Sequence, residues 1–156
     1  MIAASQRYDE GRPLGITMAC DFCGYIFSNL KRPNKAGPGY GKTSGVKGCT
    51  SSDPSSCDHW LLKSGWSDPG SLQFGNASRN EPNIRSPHNF NEDFSVTKNT
   101  PLNDLLSLKF ESQMGNLFNR TLWCNPDTNW SDEAFGTISA QCNQPRLIQF
   151  GVRLEF

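Results

Sequence analysis

Within the final eleven residues, Arg146 to Phe156, every even position from 148 on is apolar: Ile148, Phe150, Val152, Leu154 and Phe156. The odd positions from 149 on carry Gln149, Gly151, Arg153 and Glu155. Successive side chains of a strand point to opposite faces, so this segment has one apolar face and one polar face that holds both charges. A soluble sandwich uses the same alternation. Length separates the two cases, because a tilted strand needs about nine to eleven residues to cross hydrocarbon and a soluble strand averages about five or six.

The parity recurs upstream. Leu106, Leu108 and Phe110 alternate with Ser107, Lys109, Glu111 and Gln113. In Phe90 to Lys98, Phe90, Phe94 and Val96 oppose Asn91, Asp93, Ser95 and Thr97, with Glu92 as the misfit on the apolar side. That carboxylate is costly in lipid unless it lies at a membrane edge. Pro13 to Cys20 gives a further run, with Leu14, Ile16 and Met18 on one parity, and Met1 to Tyr8 gives the weakest. The pattern predicts an all-β fold: an antiparallel up-and-down segment of about five strands, whose apolar face meets lipid and whose polar face meets a wet lumen.

With the C-terminus placed on the periplasmic side, antiparallel pairing fixes every other direction. The turns Asp9 to Arg12 and Asn99 to Asp104 then fall inside and are short. Residues 21–86 and 115–145 become long external loops, and all six cysteines land on or beside them. Five strands cannot close a barrel, since an open edge leaves backbone groups without partners in hydrocarbon. The chain is therefore expected to be either a fragment of a larger barrel or a partner of further strands.

Composition agrees. Apolar residues make up 35% of the 156, low for a chain that must bury a core of its own, and 14 Gly with 10 Pro favour short strands and irregular loops. The 15 basic and 15 acidic residues balance, with no basic block, which argues against a nucleic-acid partner. No stretch reaches the roughly 18 apolar residues of a spanning helix, and Met1 to Arg7 does not read as a signal peptide.

The chemistry-bearing motifs are weak. Ala36 to Thr43 (AGPGYGKT) matches a relaxed phosphate loop, but it lacks the preceding apolar strand and the following helix that would aim backbone N–H groups at phosphates. Cys20, Cys23, Cys49, Cys57 and His59 resemble a zinc set, yet the second cysteine pair is spaced too widely. Loop disulfides are the favoured reading for Cys20, Cys23, Cys49, Cys57, Cys124 and Cys142. Cys124 with Cys142 is the preferred pair, a closure worth about 3 kcal/mol in the chain-entropy account. His59 and His88 sit in predicted loops without an evident nucleophile or carboxylate partner, so neither catalysis nor a cofactor is expected. The sequons at Asn76, Asn119 and Asn129 are read as chance, and the four tryptophans, Trp60, Trp66, Trp123 and Trp130, suit either a membrane interface or a loop core.

Several segments together resemble the Oar-like TonB-dependent receptors, a family of outer-membrane barrels with an N-terminal carboxypeptidase-regulatory-like domain. They are Tyr8 to Leu14 (YDEGRPL), Phe74 to Asn80 (FGNASRN), Phe90 to Leu102 (FNEDFSVTKNTPL), Asn116 to Arg120 (NLFNR), Phe135 to Ile138 (FGTI) and Arg146 to Phe156 (RLIQFGVRLEF). Each is weak alone; their order and spacing are more specific, and they cover the second half of the chain well. The Cys-rich stretch from Cys20 to Cys57 departs from the family pattern. The resemblance implies a plugged barrel of roughly 22 strands. Its expected partners are the parent's remaining strands and plug, outer-membrane lipid, TonB acting through the parent, and the barrel-assembly machinery. Phe156, with Leu154, Val152 and Phe150 before it, resembles the C-terminal signal of that machinery's clients, a role compatible with simply ending a lipid-facing row.

The function expected is therefore non-enzymatic: part of an outer-membrane receptor and transporter, closing the barrel and presenting external loops. The alternative is a small secreted β-domain stapled by disulfides that binds a partner. It would have to cover its apolar strand faces with another layer, and no segment of the sequence offers one.

Overall fold

The computed structural model describes residues 1–19, 31–41 and 57–156. Among these residues the strands are, in chain order, β1 (Ile2–Asp9), β2 (Pro13–Leu14), β3 (Asn34–Lys35), β4 (Trp66–Ser67), β5 (Glu81–Arg85), β6 (Asn89–Asn103), β7 (Leu106–Gly115) and β8 (Leu147–Glu155), with a 3-10 turn at Lys63–Gly65. Every pairing between these strands is antiparallel. The fold is all-β, and the chain divides into two compact units. The first comprises Met1–Asp9, His88–Leu122 and Cys142–Phe156; the second comprises Glu10–Pro87 and Trp123–Gln141.

The first unit is one four-stranded sheet in the order β1-β6-β7-β8. Its register places Phe94 opposite Met114, Phe110 opposite Val152, Leu108 opposite Leu154 and Ile2 opposite Val96. Side chains alternate across a sheet, so these residues share one face. On the other face Thr97 pairs with Glu111, Lys109 with Arg153 and Gln113 with Gln149. Strands of 8, 15, 10 and 9 residues are long by soluble standards and suit a tilted crossing of hydrocarbon. The turn joining β6 to β7 is tight, with Leu105 N–H donating to Asn103 Oδ1 at 3.0 Å. At the opposite end, Asp9 lies across from Asn89 and Gly115 across from Leu147, and both long excursions leave the sheet there.

The run Pro13 to Cys20 is not a strand of this sheet. Only Pro13–Leu14 is extended, paired with β5 in the second unit, and β1 pairs directly with β6, so the sheet has four strands. Asp9 to Arg12 accordingly joins no hairpin. The physical reason is visible in burial. Leu14, Ile16 and Met18 are all buried, because alternating apolar side chains can plug a globular core as readily as they can face lipid.

The second unit gathers the two excursions into one folded body. Leu14, Ile16, Trp60, Leu61, Trp66, Ala77, Ile84, Phe135 and Ile138 form its buried core, with Tyr40, Trp123 and Trp130 packed against it. Residues 123–141 are tied to the longer excursion by Thr17 N–H to Thr128 O at 3.0 Å and Trp60 N–H to Gly136 O at 2.7 Å. All four tryptophans thus serve this core. Trp60 Nε1 donates to Arg85 O at 2.7 Å, and Trp130 Nε1 to Lys63 O at 3.1 Å, which gives these two indoles a polar partner, whereas Trp66 Nε1 is buried without one among the described residues. Gly136 (φ 80) is required where it stands, since a Cβ there would come within 2.2 Å of Leu61 O.

Candidate functional site

The surfaces able to carry function in the first unit are the two faces of the sheet and the rim where the excursions begin. The apolar face is uncovered: Phe150, Val152 and Leu154 keep 65%, 68% and 51% exposure. A contiguous apolar surface of this kind needs a covering layer. Lipid supplies one. Phe150 also stacks against Phe110, with ring centroids 6.3 Å apart.

Glu92 lies on this face, paired across from Gln6. It is 3% exposed and sits near the rim, three residues from the start of β6. Tyr8 Oη donates to its Oε1 at 3.0 Å, and Arg120 Nε stands 3.2 Å from Oε2 as an ion pair without hydrogen-bond alignment. The Arg120 guanidinium also lies over Phe90 (5.8 Å) and Phe118 (5.6 Å). Rim position, a cation and a phenol together make this carboxylate tolerable on an otherwise apolar face. Arg120→Ala should strand it and destabilise the sheet by about 1–3 kcal/mol, whereas Arg120→Ala combined with Glu92→Gln should recover much of that loss. Urea titrations of the four proteins of this cycle measure the coupling. Additive losses would mean that the pair does not interact.

The polar face carries the charged pairs expected of a lumen wall: Lys109 with Glu111, and Arg153 with Glu155 at 3.8 Å. Near the rim it sinks into a concavity of about 400 Å³ lined by Arg7, Asn89, Asn91, Asp93, Asn116 and Gln144 among others. Asn116, in the left-handed region (φ 49), organises it. Its N–H donates to Asp93 Oδ1 at 2.9 Å, and its Nδ2 donates to Arg120 O and Gln144 O at 2.9 and 3.1 Å. Asn89 Oδ1 is buried there without a hydrogen-bond partner. Its wall mixes these amide donors and acceptors with the apolar Leu122, Pro145 and Leu147, as a binding hollow commonly does. No sequence motif marked Asn116 as an organiser. The only clue was its place in the Asn116 to Arg120 string.

Among the described residues of the second unit, two ion pairs each have one buried and one more exposed partner. Lys31 Nζ, 6% exposed, meets Asp68 Oδ1 at 3.0 Å, and Lys35 Nζ meets Glu81 Oε2 at 2.8 Å, with the Glu81 side chain 4% exposed. The Gly70 N–H and then Lys31 hold the Asp68 carboxyl below its ordinary value. For Glu81, burial pushes upward, but Lys35 and the Ser78 N–H outweigh it and the net shift is downward. Both folded pKa values are depressed, so these groups add stability that is fully present above the ordinary carboxylate range and is lost as pH falls through their folded values. The second unit is therefore expected to loosen below about pH 4 while the sheet persists. Tryptophan fluorescence followed during acid titration tests this, and an unchanged signal down to pH 2 would refute it.

The remaining sequence candidates resolve as follows. In the phosphate-loop look-alike, Ala36 and Gly37 N–H both donate to Gly65 O, and Gly41 N–H donates to Trp60 O, so these donors are spent within the fold. Lys42 and Thr43 lie outside the described residues, as do Cys20, Cys23 and Cys49. Cys57, Cys124 and Cys142 are disulfide-bonded. His59 is held rather than solvated, with Nδ1 3.1 Å from Phe135 O, and His88 stacks on Phe90 at 5.8 Å. Phe150, Val152 and Leu154 share the apolar face of β8, which ends one residue before Phe156.

Among known families, the model of the outer membrane beta barrel domain matches residues 2–149 of the chain. No curated protein and no solved structure matches the chain.

Proposed function

The chain belongs to the outer membrane beta barrel domain family, and on that premise we propose that it is part of the barrel of a TonB-dependent receptor, closing the wall through β8 and displaying the second unit outside the cell. As a family member it is an outer-membrane protein of a bacterium. The observation that carries the reading is the sheet itself: one apolar and one polar face, a tight turn at one end and both long excursions at the other. That is the asymmetry of outer-membrane barrels, with short periplasmic turns and long external loops.

The receptor assignment draws its support from the segments that resemble the Oar-like family. Phe90 to Leu102 forms most of β6, Arg146 to Phe156 spans β8, and Asn116 to Arg120 builds the rim. The proposed role is transport of a bulky nutrient using energy relayed by TonB, with no enzymatic step. The parent's other strands and plug, outer-membrane lipid and the barrel-assembly machinery are the proposed partners. β1 and β8 are the edges of the sheet, and each needs a neighbouring strand in hydrocarbon.

Disrupting TonB and deleting the gene for this protein, each in the native host, should produce the same growth defects across a panel of nutrients. A deletion phenotype indifferent to TonB would leave the barrel and sink the receptor reading. The alternative of a secreted, disulfide-stapled domain draws on the core of the second unit, but it leaves the apolar face of β6 to β8 without a cover.

A further inference from the structure

In the second unit, Arg32 and Arg79 line one concavity of about 410 Å³, together with Ile16, Thr17 and Asn80. The other charges nearby in sequence are already matched: Lys31 with Asp68, and Lys35 with Glu81, whose other oxygen accepts the Ser78 N–H at 2.8 Å. Neither arginine has an ion pair among the described residues. Arg32 Nη1 donates to Ala77 O at 3.3 Å, which anchors that guanidinium beside the irregular segment leading to Arg79. Arg79 itself is held by its backbone, because Gly15 packs so closely that a Cβ there would meet Arg79 O at 2.2 Å.

Two arginines and no carboxylate are among the residues lining this hollow, which gives it a local excess of positive charge although the chain as a whole has a net charge of zero. Planar N–H forks match the oxygens of a phosphate or carboxylate two at a time, and Thr17 and Asn80 add neutral donors at the same wall. We propose that this concavity is an oxyanion site, taking a small solvent-borne ligand through its phosphate or carboxylate group. Guanidinium stays charged at all physiological pH values, so the site keeps its affinity for a fully ionised anion in alkaline buffer, where a lysine or histidine site would lose it. Added salt weakens it by screening.

The proposal is independent of energy-coupled transport, because binding is read on the isolated protein. The whole protein in neutral detergent is titrated calorimetrically with inorganic phosphate, then with citrate. The expected result is saturable binding that Arg79→Ala weakens about tenfold or more, the loss of one charge-assisted contact, and that Arg79→Lys restores in part. Among the described residues the Arg79 side chain has no hydrogen bond or ion pair, and an unchanged proteolysis pattern verifies that the alanine variant keeps the fold. Phosphate binding that is equal in both proteins, or absent from the unaltered one, overturns the assignment. Binding seen only when phosphate is presented on an anionic phospholipid in the micelle overturns its solvent-borne character.

Discussion

Arginine in place of Val152 is expected to block stable insertion of the sheet. Val152 lies near the middle of β8 on the apolar face, opposite Phe110 and in one row with Phe150 and Leu154. A guanidinium at the midplane of a barrel's lipid face costs about 2–4 kcal/mol, a large share of the stability of a typical fold. Gln149→Arg, on the same strand but on the polar face, should cost little, since that face already carries Arg153 and Lys109. Heat-modifiable gel mobility and urea unfolding in lipid vesicles read both effects. Equal tolerance of the two substitutions would mean that the faces are assigned wrongly, and the membrane reading of the sheet would go with them.

Truncating Phe135 to alanine should unfold the second unit and spare the first. Phe135 is 1% exposed and sits in the core cluster beside Leu61 and Ile138, where loss of the ring removes about 3–5 kcal/mol. Among the described residues the core holds nine buried side chains, so one such cavity is a large fraction of what keeps it closed. Protease should then cut within 57–87 and 123–141, while the β6 to β8 ladder stays protected and heat-modifiable. Simultaneous loss of both units would show that they form one cooperative structure. A transport assay on this variant would also ask whether nutrient capture needs the external unit folded.

The strands of the sheet were legible because lipid imposes a rule that one sequence can display. β8 and β7 coincide closely with the alternating runs at Arg146 to Phe156 and Leu106 to Gln113, and β6 contains the run at Phe90 to Lys98. Glu92 was legible as a misfit, and its tolerance near a membrane edge agrees with its place three residues into β6. The run at Pro13 to Cys20 misled for a definite reason: period-two alternation states which side chains share a face, not what that face meets. Ile16, 0% exposed, meets Ile84 and its neighbours in a protein core.

The second unit was not legible at all. Its core draws on residues as far apart as Leu14, Trp60 and Ile138, of which only Leu14 lies in a periodic run, and its strands are two to five residues long. Such a body is specified by long-range contacts, among them Lys31 with Asp68 and the bonds from residues 123–141 to the longer excursion. Sequence spacing records none of these. The amino-acid sequence by itself determined the chemistry of the two sheet faces and the lengths that suit a bilayer, because a side chain's parity in a strand is a local property. Tertiary structure alone decided that β1 pairs with β6, that the two excursions share one core, and that Arg32 and Arg79 line one hollow. Pairing and burial depend on partners that the chain brings together from distant positions.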